Sequence, residues 1–179
     1  MSFIYLQPFG EIDKKLLEGI GKAIEQAFGF PYKINGPIEL PINAFFRRRR
    51  QWHSTTILEN ALNIDIPKDA EKVLGICDVD LYVETLNFVF GEADPEHGTA
   101  LISIFRLRPQ YYKLPKDDKL LIERAAKEAI HELGHTYGLT HCSNPHCIMF
   151  FSNTLSDTDR KGPEFCETCA RMLKENMRQ

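Results

Sequence analysis

The sequence lacks the features that mark several classes of protein. No run approaches the roughly 18 consecutive apolar residues that a helix needs to cross a bilayer. The apolar start Phe3–Phe9 has no basic residue before it and no small-residue cleavage site after it, so it does not resemble a secretion signal. Charge of one sign is not in excess, because 22 Lys and Arg face 25 Asp and Glu. We therefore expect a cytoplasmic protein, taken to be a monomer, that binds neither nucleic acid nor membrane.

Cysteine is scarce and unevenly placed. Cys77 stands alone, and the other four cysteines occur in the last 40 residues. An odd number without a secretion signal argues against a disulfide framework and favours thiolates held by a metal. A redox role for the final CxxC pair is a weaker alternative, since no thioredoxin-like strand precedes it. His146 is not counted as a zinc ligand, because four thiolates already complete the site. The spacing fits a closed, tetrahedral structural zinc site at Cys142, Cys147, Cys166 and Cys169.

Hydrophobic periodicity predicts an alternation of strands and helices. With 179 residues, of which 43% are apolar, the chain is long enough for one core, so we expect one domain. We expect an α/β fold with a mostly parallel sheet and an antiparallel component. The predicted strands are 3–9, 32–41, 72–83, 87–93 and 99–107, and the predicted helices are 13–28, 50–62, 116–138 and 165–179.

The stretch HELGHTYGLTH places three of the six histidines within 11 residues. On a helix, His131 and His135 lie one turn apart on one face and can bind one ion together. Glycine accepts the left-handed conformation that ends a helix, so Gly138 lets the chain reverse and bring His141 to the same ion. Neutral imidazole suits zinc, and a catalytic zinc keeps a water whose proton Glu132 can take as general base. The alternative, an ordinary helix with two satisfied histidines, explains neither the third histidine nor the glycine.

The motif HExxHxxGxxH resembles that of the metzincin metallopeptidases, and Met149 in CIMFF stands where their methionine turn would. With the cysteine spacing, the chain most resembles the archaemetzincin family, over most of its length from about residue 72 onward. The resemblance implies a catalytic zinc at His131, His135 and His141, with Glu132 as general base. It also implies Met149 as an apolar floor beneath the histidines and a second, structural zinc at Cys142, Cys147, Cys166 and Cys169.

The resemblance also implies a compact metzincin-like α/β fold, with a twisted five-stranded mixed sheet and two long helices. Within a single catalytic domain spanning 1–179, residues 1–138 would form an upper part with the sheet and the active-site helix. Residues 139–179 would form a small lower part with the methionine turn, the structural zinc and a final helix. The segment Asn87–Ala93 would be the one antiparallel edge strand, along which an extended peptide substrate binds.

These inferences predict a zinc metallopeptidase that hydrolyses peptide bonds through a zinc-activated water. No pro-segment is visible, and a peptidase in the cytoplasm should be selective, for example an aminopeptidase acting on short peptides. Phe150 and Phe151 follow Met149 where many metzincins have a tyrosine, so no oxyanion-stabilising residue besides zinc is assigned. The alternative function is a zinc-braced protein that binds a peptide or partner with little turnover, and the intact Glu132 argues against it.

The remaining polar and cysteine features carry structural expectations only. Arg47–Arg50 is expected in a solvated loop or at a helix start, rather than in a binding patch. Cys77 is expected to be a buried small hydrophobe. His53 and His97 are expected to be exposed without a role. Asp78 and Asp80 are expected to brace the fold.

Overall fold

The chain folds into two β-sheets of unequal size, with two long helices packed on the larger sheet. The structure is a computed structural model that describes residues 1–178. None of the helices in that range combines the length and the apolar content that a bilayer crossing needs. In chain order the elements are β1 (Phe3–Pro8), α1 (Lys14–Phe28), β2 (Tyr32–Ile34), β3 (Phe45–Phe46), β4 (Gln51–His53), α2 (Ser54–Ile57), β5 (Ala70–Cys77), β6 (Leu81–Val83), β7 (Leu86–Val89), β8 (Gly91–Asp94), β9 (Thr99–Ser103), α3 (Asp118–Thr136), α4 (Leu155–Arg160) and α5 (Glu167–Asn176).

The larger sheet has five strands in the order β2-β1-β5-β9-β8. Strands β2, β1, β5 and β9 run parallel to one another, and β8 pairs antiparallel with β9 at the edge. The implied α/β fold, with a five-stranded mixed sheet and one antiparallel edge strand, is therefore confirmed. The smaller sheet, in the order β3-β4-β6-β7, was not predicted. Its residue Leu81 shares a core with residues of β5.

Both faces of the larger sheet are covered, because successive side chains of a strand point to opposite faces. In β5, Leu74 and Ile76 belong to the core formed with α1 and α3, whereas Val73 and Cys77 belong to the core formed with the α2 region. A strand buried on both faces reads as a continuous apolar run, which is the pattern seen in the sequence. Cys77 is fully buried, as expected, and burial raises the pKa of its thiol to about 12.

The two long helices begin and end near the predicted positions. The Asp13 side chain accepts a hydrogen bond from the Leu16 amide at the start of α1, and Gly29, with a φ of 78°, ends this helix. The Asp117 side chain accepts one from the Leu120 amide at the start of α3. These caps satisfy amides that have no partner within the helix. The predicted helices 13–28 and 116–138 are confirmed to within two residues at each end.

The predicted helix 50–62 is wrong in its first part. Gln51–His53 form β4, which pairs with β3 and β6, and helical structure starts only at Ser54. Arg50 has a positive φ of 55° in the turn between β3 and β4. The other arginines of the run are exposed as expected, except Arg49, which is half-buried and donates to the carbonyls of Leu86 and Asn87. The rings of Phe45 and Trp52 pack across the two strands with 5.2 Å between their centres. Such cross-strand aromatic pairs stabilise a hairpin, and helical periodicity does not reveal them.

The predicted edge strand Asn87–Ala93 is in fact two strands that belong to different sheets. Strand β7 pairs with β6 in the smaller sheet, and β8 forms the antiparallel edge of the larger sheet. Phe90, between them, is buried in the core with α1 and α3, so the chain changes sheets at this residue. Of the predicted strand, only β8 therefore forms an edge of the larger sheet to which a peptide could add.

The segment after Gly138 is more ordered than its loop-like composition predicted. It contains α4, which begins with a capping box in which the side chains of Thr154 and Asp157 each bond the backbone of the other residue. The predicted final helix is confirmed as α5. Residue 179, at the end of that prediction, lies outside the described residues.

Asp78 and Asp80 brace the fold, as expected. Asp80 accepts two hydrogen bonds from Arg106, at 2.7 and 2.8 Å, and Asp78 accepts two from Arg108, at 3.1 and 2.6 Å. Paired bonds of this kind fix the planar groups against each other. They tie the segment after β5 to the segment after β9. His97 is exposed, as expected, and lies 2.9 Å from Asp94.

Candidate active site and metal centres

Helix α3 directs two histidines towards one point. The Nε2 atoms of His131 and His135 are 3.1 Å apart. Burial lowers the pKa of both rings, so the neutral forms apply. His131 Nδ1–H donates to the Ile148 carbonyl at 2.9 Å, and His135 Nδ1–H donates to the Leu139 carbonyl at 2.7 Å, which leaves both Nε2 atoms with lone pairs. Two facing lone pairs repel each other unless a cation lies between them, so this arrangement suits a metal.

The chain reverses directly after α3 and brings the third histidine back. Gly138 has a φ of 81°, and its amide donates to the His135 carbonyl at 2.9 Å. The Leu139 amide donates to the Gly134 carbonyl at 3.1 Å. These two bonds form a Schellman motif, whose left-handed residue is usually glycine. After this turn, the ring centre of His141 lies 4.8 Å from that of His135.

The three histidines fit a single zinc ion. One nitrogen from each ring can be chosen so that all three lie within 4.8 Å of one another. Tetrahedral zinc with bonds of about 2.0–2.1 Å separates its nitrogen ligands by about 3.3 Å, close to the 3.1 Å between His131 and His135. His131 is buried whereas His141 is exposed, so the group opens to solvent on one side. A catalytic zinc needs such an opening, because its fourth position must admit water.

The four clustered cysteines form a second group with the dimensions of a zinc site. Cys142 Sγ lies 3.8 Å from Cys166 Sγ, and tetrahedral zinc with bonds of about 2.3 Å separates its sulfur ligands by about 3.8 Å. The Cys166 amide donates to Cys147 Sγ and the Asn144 amide donates to Cys142 Sγ, which stabilises thiolates. His146 is exposed and stands apart from the group, whose sulfurs all lie within 4.8 Å of one another: Cys142, Cys147, Cys166 and Cys169.

Comparison with known sequences identifies the family. The model of peptidase family M54 matches residues 56–175. The archaemetzincin of Methanocaldococcus jannaschii is 42% identical over 96% of this chain and 93% of its own length. That of Pyrococcus furiosus is 44% identical over 98% and 94%. The chain belongs to peptidase family M54.

The archaemetzincin resemblance is thereby confirmed, and the chain is a zinc metallopeptidase. The zinc-dependent peptidase from Methanocorpusculum labreanum superposes with a TM-score of 0.86 at 31% identity, covering 95% of this chain and 99% of that one. The archaemetzincin from Methanopyrus kandleri gives a TM-score of 0.87 at 32% identity, covering 99% and 96%. Taken with the group of three histidines and the group of four cysteines, the family's zinc dependence means two zinc ions per chain.

Glu132, the acidic residue of this archaemetzincin motif, lies in a tight space between α3 and β8. A Cβ added to Gly91 would come within 2.6 Å of the Leu101 carbonyl oxygen on β9 and within 2.7 Å of Glu132 Cγ, so only glycine fits at this position. Sequence reasoning did not identify Gly91. Burial raises the pKa of Glu132 well above its ordinary value, Glu128 raises it further, and Lys161 opposes the shift. A carboxylate with raised proton affinity is suited to accept a proton from water.

Met149 lies directly beneath the helical turn that carries the histidines. It is fully buried, and a Cβ added to Gly134 would come within 2.6 Å of Met149 Sδ. The sulfur therefore occupies space that a glycine leaves between His131 and His135. The motif comparison singled out Met149 in the sequence, whereas Gly134 was missed because its importance depends on what packs below it.

An open cleft of about 570 Å³ runs past the three histidines. Glu84 and Glu92 are among its lining residues, and no Lys or Arg is among those lining it in the described chain. The hydroxyls of Ser54 and Thr55 donate to the two oxygens of Glu92 and hold its carboxylate in place. The cleft therefore carries fixed negative charge beside the histidine group.

His53 also lines this cleft, and the expectation that it is exposed is wrong. It is half-buried, and its Nδ1 lies 2.9 Å from Thr56 Oγ1. Its position was missed because β4 and the smaller sheet were not predicted. Phe151 lines the cleft as well, with its ring centre 4.9 Å from that of His141. Phe151 therefore gives His141 an apolar neighbour and no hydrogen-bond donor.

Proposed function

We propose that the chain hydrolyses peptide bonds near the amino end of short peptides, with Glu132 as general base. His131, His135 and His141 would hold the catalytic zinc. The observation that carries this proposal is the convergence of three imidazole nitrogens beside a buried carboxylate, at a cleft open to solvent. The structural zinc would be held by Cys142, Cys147, Cys166 and Cys169.

Each residue of the candidate site has one role in this proposal. When bound, zinc polarises the substrate carbonyl and lowers the pKa of water towards about 7. Glu132 takes a proton from the attacking water and passes it to the nitrogen of the leaving amine. Met149 supports the histidines from below, and Gly138 returns the chain to His141. The Cys142 amide donates to the Met149 carbonyl at 2.9 Å, so a zinc held by the cysteines would also fix the methionine turn.

The peptide would lie along the outer edge of β8. Within residues 1–178, β8 is the last strand of the larger sheet, so its outer main-chain groups have no strand partner. An extended peptide can add to such an edge through main-chain hydrogen bonds. Gly91 brings the backbone of β8 against Glu132, so a peptide added here would pass directly beside the base.

The acidic lining of the cleft supports cleavage near the amino end. The carboxylates of Glu84 and Glu92 attract a substrate's α-ammonium group and repel an α-carboxylate. Glu92 is held in place by two hydroxyl donors, so its charge needs little reorganisation when an ammonium binds.

The proposal is tested with the zinc-loaded protein and a set of peptides of four to six residues, each with a free or an acetylated amino end. We expect turnover of the free peptides, loss of turnover in Glu132→Ala with both zinc ions kept, and no loss in the exposed control Glu96→Ala. Glu92→Gln should raise KM for free peptides only. Equal product from the protein and Glu132→Ala would refute the role of Glu132. Equal cleavage of the acetylated peptides would refute the preference for the amino end.

A further inference from the structure

A small second pocket adjoins Glu132 and His131 but is not lined by His135 or His141. Glu128, one helical turn before Glu132, lines this pocket, whereas His135 and His141 line only the larger cleft. Its volume is about 40 Å³, room for a few water molecules or a small side chain. Aromatic rings form one wall and polar side chains another, from Phe88, Phe90, Ser152 and Asn153.

Glu128 carries an unusual set of bonds in this pocket. Its side chain is 2% exposed, and its Oε1 lies 3.1 Å from the Nζ of Lys161, which is fully buried. The hydroxyls of Thr158 and Ser152 donate to the same oxygen, at 2.8 and 3.2 Å. The other oxygen, Oε2, receives none of these three bonds. One carboxylate oxygen is thus fixed by protein donors, and none of these three donors occupies the second.

The chemistry of Glu132 decides which part of a substrate reaches this pocket. Under the proposed function, on which this inference rests, Glu132 gives a proton to the leaving nitrogen, so the residue that supplies that nitrogen lies on Glu132's side of the histidines. We propose that Glu128 determines which side chain is accepted directly after the cleaved bond, by accepting a hydrogen bond from that side chain through Oε2. It selects serine, threonine or asparagine there.

The size and charge of the pocket explain why other side chains are rejected. The charge of Glu128 is already balanced by Lys161 at 3.1 Å, so a lysine or arginine would add an unpaired charge and lose its hydration. Both side chains are also long for a pocket of about 40 Å³. An aspartate or glutamate would face Glu128 Oε2 without a proton to share. An apolar side chain would displace water from a charged oxygen and leave that oxygen without a partner.

Matched peptides measure the preference directly. Threonine and valine have nearly the same shape, as do asparagine and aspartate, so each pair differs mainly in the donor. For the zinc-loaded protein we expect kcat/KM to favour threonine over valine and asparagine over aspartate at the position after the cleaved bond, each by about tenfold or more.

Variants of the pocket test the residue assignment. Glu128→Gln keeps an acceptor but removes the charge, so it should relax the rejection of aspartate and keep part of the threonine preference. The double variant Glu128→Leu with Lys161→Met removes the acceptor without leaving Lys161 unpaired, and it should favour valine over threonine. Glu123→Gln, on the exposed side of the same helix, is the matched control and should keep both ratios.

Each outcome supports or overturns the inference. A threonine-to-valine ratio of kcat/KM near one in the unchanged protein overturns the inference. So does a result in which both ratios, threonine to valine and asparagine to aspartate, stay the same in Glu128→Gln and in the double variant. If the double variant does not fold, the peptide ratios and Glu128→Gln still decide. Turnover that needs Glu132 but ignores the residue after the cleaved bond leaves the proposed function standing and removes this inference. No turnover of any peptide by the zinc-loaded protein removes both.

Discussion

In the variant Lys161→Met, a buried carboxylate loses the cation that pairs with it. The two side chains are 0% and 2% exposed, with 3.1 Å between Lys161 Nζ and Glu128 Oε1. Removing one partner of such a pair costs about 3–5 kcal/mol, because the remaining charge is left without compensation. The hydroxyls of Thr158 and Ser152 still donate to Glu128, which favours the lower end of that range.

The carboxyl group can limit this cost by taking up a proton. For a glutamate of ordinary acidity, protonation costs about 4 kcal/mol at pH 7, and each unit of lower pH reduces this by about 1.4 kcal/mol. We therefore expect Lys161→Met to lower the free energy of unfolding by about 3–4 kcal/mol at pH 7. The loss should shrink as the pH falls, because in this variant the folded state takes up the proton more readily than the unfolded state.

A double-mutant cycle gives the decisive measurement. Glu128→Leu with Lys161→Met replaces the pair with apolar side chains of similar size, which is often close to neutral. Urea unfolding of the four zinc-loaded proteins, followed by circular dichroism at two pH values, gives the coupling energy, expected at about 3 kcal/mol or more because Lys161→Met alone loses that much and the double variant is close to neutral. A double variant as unstable as the sum of the single ones would refute the reasoning. So would a loss in Lys161→Met that does not change with pH.

Three further substitutions separate the roles of packing and metal. Gly91→Ala should lower kcat by about a hundredfold or more with both zinc ions kept, because its Cβ would come within 2.6 Å of the Leu101 carbonyl oxygen and 2.7 Å of Glu132 Cγ and so displace β8 and the base; unchanged kcat would contradict this packing. Gly134→Ala should weaken binding of the catalytic zinc in competition with a chelator, since Met149 must move, and an unchanged zinc affinity would argue against a supporting role. Cys169→Ser should reduce the zinc content by one ion and lower Tm, whereas Cys77→Ala should keep the full content; undiminished zinc in Cys169→Ser would count against the cysteine site.

The sequence predicted the elements whose signals are local. Helices α1 and α3 have apolar residues at helical spacing and an aspartate at the capping position, so both could be predicted from the sequence. The smaller sheet could not, because its strands have two to four residues and depend on pairing with distant segments. The exchange of sheets at Phe90 was missed for the same reason, since β7 and β8 form one continuous β-prone run.

The residues of the candidate site also differ in whether local sequence predicts them. The three histidines and Glu132 could be singled out because a helix and a glycine turn relate them by fixed spacing. Gly91 and Gly134 could not, because the atoms that require a glycine there belong to other elements: the Leu101 carbonyl and Glu132 at Gly91, and Met149 at Gly134. His53 reaches the cleft from β4, a strand that the sequence pattern does not predict.

Glu128 lies between these two cases. Its spacing to Glu132 places both on one face of α3, and a carboxylate at a position otherwise suited to the core signals a hidden partner. The partner, Lys161, follows α4 in a segment whose sequence has no period, so nothing in the pattern connects the two. Neither residue belongs to the zinc-binding motif, but both act on the pKa of Glu132, Glu128 raising it and Lys161 lowering it, so changing them also changes the base. Selection at this pocket is therefore measured by the ratio of kcat/KM for two peptides on the same variant, because a change at Glu132 affects both peptides alike and cancels in the ratio.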